Sequence, residues 1–455
     1  MFSITVPITF VDNLDITFPY LSVHALSISI LKVSSGIRSF HLLSVIFEPM
    51  RLETKSVFPG LQEIISKNRF NRVDLALQSL FTKTLMHMSD GLPFIITGDI
   101  PAMWLRDSTW QVKPLLHSRN REVIELLLNL SRSQVKLFLK DPYANAFNPE
   151  PSGACWHKDF PDQSPWVFER KFELDSWASV LYLARKIRTE YGRHEHLDES
   201  FEEAVSLMLE LAKKEQSHDR EGYVFARSNN ASHDSLSHDG LGAPVGLTGM
   251  VYSAFRPSDD ACTYGYLIPA NLFLMSELRK LDMPSFNIQA SELATQIEIG
   301  VNEFGMEAGK FVYEVDGLGN RNLMDDANVP SLLSLPYLEI LPFDDLRYQN
   351  TRAFVLSDQN PYFFTGVRAN GIGSQHTPKR HVWPIAIAIE ALTSNDVNLQ
   401  IQALETLEAT DAGTNRMHES FHVDNPNIFT REWFSWSDMT YVDLVLTSVG
   451  YRYEL

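Results

Sequence analysis

After about residue 58, the chain is dominated by stretches of roughly 10–20 residues in which apolar side chains recur at the helical period. In residues 121–139, for example, Val123, Leu126, Leu127 and Leu130 fall on one face of a helix. A helix with one apolar face must bury that face against another element, so such a chain has to pair its helices. The predicted helices cover residues 121–139, 175–191, 201–214, 269–281, 288–304, 329–341, 383–394, 399–409 and 433–449.

Strand-like runs are few and short, at residues 94–97, 310–314 and 354–356. Many helices of similar length, separated by long loops, favour an α/α barrel, in which paired helices form an inner and an outer ring. Pro336 interrupts residues 329–341, which makes that helix the least regular of the set. No Gly/Ser linker or charge block divides the chain, so residues 58–455 are expected to form one domain of catalytic size.

Residues 1–57 are treated as a separate N-terminal segment, whose status the sequence leaves open. Lys32 is the first basic residue, and the alternation over residues 26–30 is typical of a strand. The best apolar run there is too short and too polar for a spanning helix, so no transmembrane segment is predicted. The chain is expected to be soluble, with the cytoplasm and the secretory pathway both left open as its compartment.

The composition excludes several classes of function. The chain has 455 residues, with 39 Lys and Arg against 57 Asp and Glu, a net charge of −18, which argues against nucleic acid or an anionic membrane as partner. Cys155 and Cys262 are too few for a disulfide framework or a cysteine-rich zinc site. They are expected to be buried thiols, with a single bridge as the alternative. Phosphate-loop, dinucleotide and serine-nucleophile motifs do not occur.

The first candidate site is the segment TGDIPAMWLRDST, residues 97–109, which holds Asp99, Trp104, Arg106 and Asp107. The indole ring offers a flat apolar face to a sugar ring. Arg and Asp side chains form charge-assisted hydrogen bonds with vicinal hydroxyls. The alternative is an ordinary Arg–Asp pair that caps a helix, with the Trp ring in the core.

A second candidate is Asp259 with Asp260, in the segment FRPSDDACTYGY. Ser258 is a plausible N-cap of a helix that continues through Tyr266, and both acids would then lie in its first turn. The functional alternative is that one Asp faces a cleft with a raised pKa and acts as a general acid, while Arg256 restrains the other.

Two loops of similar character follow. In GIGSQHTP, residues 371–378, the glycines permit close backbone approach, and His376 either binds a sugar hydroxyl or is a structural histidine. In LMDDANVP, residues 323–330, the paired acids either begin a helix or line a cleft. The second loop is the weaker catalytic candidate.

The last candidate is MHESFH, residues 417–422, followed by IFTREWFSW, residues 428–436. His418 and His422 flank Glu419 in a literal HExxH pattern, which binds zinc only on a helix, and the Asp-Asn-Pro that follows disfavours a helix. A carboxylate beside a block of aromatic residues fits a sugar cleft better, with the acid acting as a base on water. Glu432 and Trp433 belong to this aromatic block.

Taken together, TGDIPAMWLRDST, FRPSDDACTYGYLIPAN, LMDDANVPSLLSLPYL, GIGSQHTP and MHESF with NIFTREWFSW resemble the metal-independent exo-α-1,6-mannosidases of glycoside hydrolase family 125. The resemblance runs from about residue 58 to the C-terminus. It implies an (α/α)6 barrel that releases α-1,6-linked mannose from non-reducing ends with inversion, acting on mannose-containing oligosaccharides or N-glycan fragments without a metal or other cofactor.

The resemblance also implies roles for individual residues. The general acid would be Asp259 or Asp260, and the general base Glu419, with Glu432 as the fallback. Mannose in the terminal subsite would be held by a set of charged and aromatic residues, namely Trp104, Arg106, Asp107, Arg256 and His376.

The sequence also leaves three other functions open. They are a carbohydrate-binding protein on the same barrel whose catalysis has lapsed, an α/α-barrel glucosidase, and, most distantly, a zinc peptidase. Both acids stand in their motifs, which disfavours lapsed catalysis.

Overall fold

A computed structural model describes residues 4–7, 26–32, 41–47, 50–219, 221–228 and 233–451 of the protein. Helices dominate it. The α-helices are Thr54–Val57, Leu61–Ile64, Lys67–Ser79, Leu105–Val112, Arg121–Phe138, Leu174–Tyr191, Glu199–Glu215, Ser237–Gly240, Ile268–Arg279, Asn287–Phe304, Leu346–Val355, Pro384–Leu392, Val397–Ala409 and Ser435–Ser448. A π-helical turn spans Leu80–Thr84, and a 3₁₀ turn spans Lys113–His117.

The strands are short and form small antiparallel sheets. One three-stranded sheet is formed, in spatial order, by Ile4–Pro7, His41–Phe47 and Leu26–Lys32, and another by Met103–Trp104, Ala146–Phe147 and Val167–Glu169. A third is formed by Arg321–Asn322, Glu314–Val315 and Tyr266–Leu267, and a fourth by His381–Val382, Ser420–His422 and Asn425–Thr430. The two-stranded sheets pair Leu85–His87 with Pro93–Ile95, Met306–Glu307 with Lys310–Phe311, and Phe363–Thr365 with Asn370–Ile372.

An inner ring of helices carries the core. Neighbours in this ring pack in the order Pro384–Leu392, Ser435–Ser448, Leu105–Val112, Leu174–Tyr191 and Ile268–Arg279. The irregular turn at residues 331–338 takes the sixth place, since the Tyr337 ring packs on Trp110 and its hydroxyl donates to Asp443 at 2.9 Å. The inner helices are buried almost along their whole length, because each is covered on both sides.

The outer ring wraps this core with amphipathic helices: Lys67–Ser79, Arg121–Phe138, Glu199–Glu215, Asn287–Phe304, Leu346–Val355 and Val397–Ala409. An inner and an outer ring of paired helices confirm the predicted (α/α)6 barrel. Five of the outer helices begin at a side-chain N-cap, such as Asn120 or Asp198.

The regular inner helices begin differently, because none of the five has a side-chain N-cap. Several follow a short strand at one mouth of the barrel, as Leu105–Val112 follows Met103–Trp104 and Pro384–Leu392 follows His381–Val382. Uncapped N-termini leave backbone N–H groups and a positive partial charge at this mouth, which favours carboxylates there.

Most of the predicted helices are confirmed within one to three residues, and three predictions of secondary structure are wrong. Residues 329–341 form turns, because Pro330 and Pro336 supply no backbone donor. Residues 354–356 are not a strand but the end of the helix Leu346–Val355. The segment at 105–112, which lies outside the predicted helices, is a fully buried inner helix.

The predicted strand at 26–30 lies within Leu26–Lys32. Cys155 and Cys262 are free thiols and only partly buried, so the expectation of full burial is wrong and they do not pair. Across the part of the chain that the structure describes, no helix has the length and apolarity required to cross a membrane.

Trp110 joins four inner elements, since its ring lies 5.1 Å from that of Tyr182, 5.9 Å from Phe273 and 6.0 Å from Tyr337. We expect Trp110→Ala to lower the free energy of unfolding by about 3–5 kcal/mol, measured by urea unfolding, because a fully buried ring leaves a cavity. Ile299→Ala, on the exposed face of an outer helix, should change it by less than about 0.5 kcal/mol. Equal losses in both variants would contradict this packing.

Candidate active site

Arg106 lies in the first turn of the inner helix Leu105–Val112, at the mouth of the barrel, and is 2% exposed. It forms ion pairs with four carboxyl groups, at 3.1 Å to Asp107, 2.5 Å to Glu173, 3.5 Å to Asp175 and 3.6 Å to Asp259. One buried cation cannot neutralise four ionised carboxylates, so part of this cluster holds protons. Burial raises the pKa of Asp107 and of Asp175 to about 6, against the opposing charge of Arg106.

Asp259 stands on a tight turn and not in the helix predicted after Ser258, which is a correction. Asp259 N–H donates to the Arg256 carbonyl at 2.9 Å, Arg256 N–H donates to the Asp260 carbonyl at 2.8 Å, and Phe255 bridges Ala261. Pro257 fixes the entry to the turn, and Asp259 has φ = 65°, a left-handed conformation that ends any helix. The next helix begins only at Ile268.

Asp259 is held by three donors, two on its carboxylate and one on its backbone carbonyl. Trp104 Nε1–H and Asn145 Nδ2–H each donate to its Oδ1 at 3.3 Å, and Lys171 donates to its backbone carbonyl at 2.7 Å. Its side chain is 25% exposed, whereas Glu173 and Asp175 have no exposed side-chain surface. Asp259 is therefore the most exposed member of the cluster, and the open space beside it at the mouth of the barrel is here called the cavity.

Asp259 and Glu173 hydrogen-bond to each other, which requires a proton between the two carboxyl groups. The same Asn145 amide donates to both, at 3.1 Å to Glu173. Burial raises the pKa of Glu173 well above its ordinary range. Burial alone would raise the pKa of Asp259. The hydrogen bond from Glu173 and the positive charge of Arg106 outweigh burial and lower the pKa of Asp259 to about 2. The shared proton therefore rests on Glu173.

Asp260 has a different place, with a side chain 1% exposed. Its Oδ1 lies 3.4 Å from His376 Nδ1, and its Oδ2 accepts from Ser258. Although burial opposes the charge, the bond to Asp260 raises the pKa of His376 to about 9. Because this exceeds the unfolded value of about 6.5, the imidazolium stabilises the fold below pH 6.5, and that contribution disappears as the pH rises through 9.

Glu419 comes just before the strand Ser420–His422 and is 6% exposed. Arg431 donates to its Oε1 at 3.4 Å, to Asp99 at 3.0 Å and to Thr97 at 3.2 Å, and its guanidinium lies 4.5 Å from the Phe434 ring centre. Arg431 thus fixes the position of the Glu419 carboxylate.

The segments that carry Asp99 and Glu419 are also joined through the backbone. Gly98 pairs with Phe434, and a Cβ at Gly98 would lie 2.9 Å from the Trp433 carbonyl, so only glycine permits this approach. His376 contacts Asp260, and its ring lies 6.4 Å from Trp383, which lies 6.2 Å from Phe434, the ring beside Arg431. The two predicted acid segments therefore open at the same mouth of the barrel.

The other residues predicted to bind the sugar lie around this centre. Arg256 is 1% exposed and pairs with Glu314 at 2.6 Å, so its guanidinium lies behind the Asp259 turn. Glu432 is exposed, and its backbone carbonyl accepts from His418. Trp433 is half-buried between the cations of Lys83 and Arg416, at 5.6 and 5.1 Å.

The HExxH pattern does not lie on a helix, as its context predicts. His418 stacks on Phe429 with ring centres 3.8 Å apart and bonds the backbone carbonyls of Asp411 and Glu432. His422 Nδ1 accepts from the Asp424 N–H instead. Among the described residues, no group of three or more His, Cys, Asp and Glu side chains is arranged to hold a metal ion.

Glu173, Asn145 and Arg431 are site residues that the sequence reasoning missed. Glu173 follows a charged run just before an apolar helix, which is a weak sequence signal for a helix N-terminus at a site. Asn145 lies 114 positions from Asp259, and no local pattern marks their contact. Asp325 and Asp326 do not begin a helix: Asp325 accepts from Leu332 and Leu333 N–H, and Asp326 from Ser374.

Comparisons with known proteins give one consistent result. A family model described as metal-independent alpha-mannosidase (GH125) matches residues 67–446. The meiotically up-regulated gene 157 protein of Schizosaccharomyces pombe is 36% identical over 388 residues, covering 77% of this chain and 76% of that protein.

Solved structures extend the comparison. A metal-independent α-mannosidase of Streptococcus pneumoniae, in a non-productive complex with α-1,6-mannobiose, is 40% identical with a TM-score of 0.83, covering 86% of this chain and 97% of that one. A bacterial glucoamylase bound to acarbose is 12% identical with a TM-score of 0.53, covering 87% of this chain and 57% of that one, and shares the fold alone.

The contact between Asp260 and His376 generates a pH prediction. In Asp260→Asn the pKa of His376 should fall from about 9 to below about 8, because burial then meets less opposing charge. NMR titration of labelled imidazoles, with the His376 signal assigned by its loss in His376→Gln, measures this value. His196, whose ring contacts the Ala184 carbonyl, is the control, and its pKa should be the same in the wild type and in Asp260→Asn. An unchanged pKa of His376 in Asp260→Asn would contradict the contact between these two side chains.

Proposed function

The chain belongs to glycoside hydrolase family 125, the metal-independent α-mannosidases, and on this premise we propose that it removes α-1,6-linked mannose from the non-reducing ends of glycans, with inversion. The bound α-1,6-mannobiose of the Streptococcus pneumoniae relative supports the linkage. We also propose that residues 58–455 form the single catalytic domain, which agrees with a family match over residues 67–446.

The observation that carries the proposed mechanism is that the Asp259–Asp260 turn and Glu419 lie at one mouth of the barrel, linked through His376, the Trp383 and Phe434 rings, and Arg431. Inversion requires two carboxyl groups about 6.5–9.5 Å apart, with room for a water molecule beside the base. Asp259 comes from the turn after Phe255, and Glu419 from the sheet that follows Met417, so they approach the cavity from different segments.

Asp259 is the better candidate for the general acid. Its side chain reaches the cavity, whereas Asp260 is buried against His376. In this proposal Asp259 donates a proton to the glycosidic oxygen as the bond to the anomeric carbon breaks. Glu173, which holds the shared proton, passes it to Asp259 across their hydrogen bond.

Glu419 acts as the general base. It takes a proton from a water molecule whose oxygen attacks the anomeric carbon from the face opposite the leaving oxygen, and this attack inverts the configuration. Arg431 orients Glu419, and its own contacts with Asp99 and Thr97 hold it in place. Asp99 therefore acts through Arg431 in this account and not as the sugar ligand that the sequence predicts.

The buried surroundings of Arg106 support an exo mode of action. Arg106 lies over the Trp436 ring at 5.6 Å and is surrounded by buried carboxyl groups, so in this proposal the terminal mannose ends there and the sugar chain does not continue past it. Trp104 and His376 border the cavity and are the proposed contacts to the mannose itself. Arg256 supports the Asp259 turn from behind.

The test compares two neighbouring glutamates. Glu419→Gln should slow release of mannose from α-1,6-mannobiose by at least about 100-fold, because removal of a general base has an effect of this size. Calorimetric binding of the disaccharide should persist. Glu432→Gln is the matched control, because the Glu432 side chain is exposed, and this variant should keep the wild-type rate. Excess EDTA should not change the rate of the wild-type protein.

Several results would contradict the proposal. Full activity of Glu419→Gln removes that residue from the mechanism. Binding without any release by the wild-type protein indicates lapsed catalysis, and faster cleavage of α-glucosides than of α-mannosides indicates a glucosidase. Loss of activity in EDTA, restored by calcium or zinc, overturns the metal-free mechanism.

A further inference from the structure

Trp156 is a large aromatic side chain held at the surface, with 61% of its area exposed. Its ring packs edge-on against Phe168 at 5.7 Å, and Phe168 packs edge-on against Trp104 at 5.9 Å. Trp104 in turn donates to Asp259. A continuous row of three aromatic rings, here called the aromatic ledge (Trp104, Phe168 and Trp156), therefore runs from the proposed acid to the solvent.

The loop that carries Trp156 is fixed to the body of the protein. The Asn148 side-chain amide donates to the carbonyls of Ala154 at 2.9 Å and Pro165 at 3.2 Å, and Gly153 N–H donates to the Pro165 carbonyl at 3.0 Å. These bonds close the loop at its base, directly before Trp156.

A second anchor lies on the other side of Trp156. Asp159 is buried and receives two hydrogen bonds from the Arg227 guanidinium, at 2.8 and 2.7 Å. Phe160 and Ala226 form a two-bond β-bridge. Trp156 is thus presented by a backbone anchored before and after it, and an exposed indole on an anchored loop is typical of a binding surface.

The direction of the ledge indicates what binds there. The general acid protonates the oxygen that joins the terminal mannose to the rest of the glycan, so the departing saccharide must lie on the side of Asp259. The ledge begins at Asp259 and leads away from the buried floor at Arg106. Trp156 offers an exposed apolar ring, which matches the C–H surface of a hexose, and the buried Phe168 ring supports it from the protein side.

We propose that Trp156, at the outer end of the aromatic ledge, forms a binding subsite for a hexose of the departing part of the glycan. This inference rests on the proposed function, because it takes Asp259 as the acid. Chains that extend beyond the cleaved mannose gain contacts with Trp156 that a mannoside without a leaving sugar does not make. The ledge therefore makes the enzyme prefer oligosaccharides to simple mannosides.

The test compares α-1,6-mannotriose with α-mannosyl fluoride, which has the same mannose but no leaving sugar. Trp156→Ala should lower kcat/KM for mannotriose by about tenfold and leave that for the fluoride within about twofold. Trp156→Phe, which keeps an aromatic ring, should restore most of the loss. Ile299→Ala, on the outer helix Asn287–Phe304 and 57% exposed, should change neither value.

A binding measurement separates this inference from the proposed function. In the Glu419→Gln background, calorimetry should show weaker binding of mannotriose with Trp156→Ala but unchanged binding of mannose. Equal kinetic losses on both substrates, or unchanged mannotriose binding, would overturn the ledge even if the wild-type enzyme is an active mannosidase. Failure of the wild-type protein to cleave any mannoside contradicts the proposed function. The binding comparison would still show whether Trp156 contributes to mannotriose binding.

Discussion

The site depends on a single buried cation. Arg106 is placed by the first turn of an inner helix, and four carboxyl groups from its own helix and two other segments converge on it. An unpaired guanidinium at 2% exposure would be strongly destabilising, and four ionised carboxylates without it would repel one another. Their mutual dependence fixes Asp259 beside Glu173 and keeps a proton in the cluster. If the same residues were mobile and solvated, their carboxyl groups would have ordinary pKa values and would not keep a proton in the cluster.

The barrel explains why these groups meet at one mouth. The five regular inner helices lack side-chain caps, so their N-terminal dipoles open there, and three of them carry an acid in the first turn, at Asp107, Asp175 and Asp438. The outer helices mostly use caps such as Asn120 and take no part in the site. The strands between them are short, and they hold Trp104 and Glu419 in position at the mouth.

Periodicity was sufficient to predict the long helices, because an apolar stripe over ten or more residues has few other interpretations. It failed at Leu105–Val112, where a helix buried all round carries polar residues on every face and shows no stripe. It also failed at residues 329–341, where apolar spacing persisted but Pro336 prevented the helix. The turn at Asp259 needs a positive φ in a residue other than glycine, which no local sequence rule predicts. The partners Glu173 and Asn145 come from distant parts of the chain, and only the folded structure brings them to Asp259.

The central claim is that Asp259 and Glu419 act on opposite faces of one mannose, as acid and base. Proton NMR of the first products from α-1,6-mannobiose, recorded before mutarotation, tests it most directly. The account predicts that β-mannose appears first and that the α-anomer grows only later. Initial release of α-mannose would mean retention, which requires carboxyl groups only about 5–5.5 Å apart and a covalent intermediate. That result would contradict the assignment of Glu419 as a base acting through water.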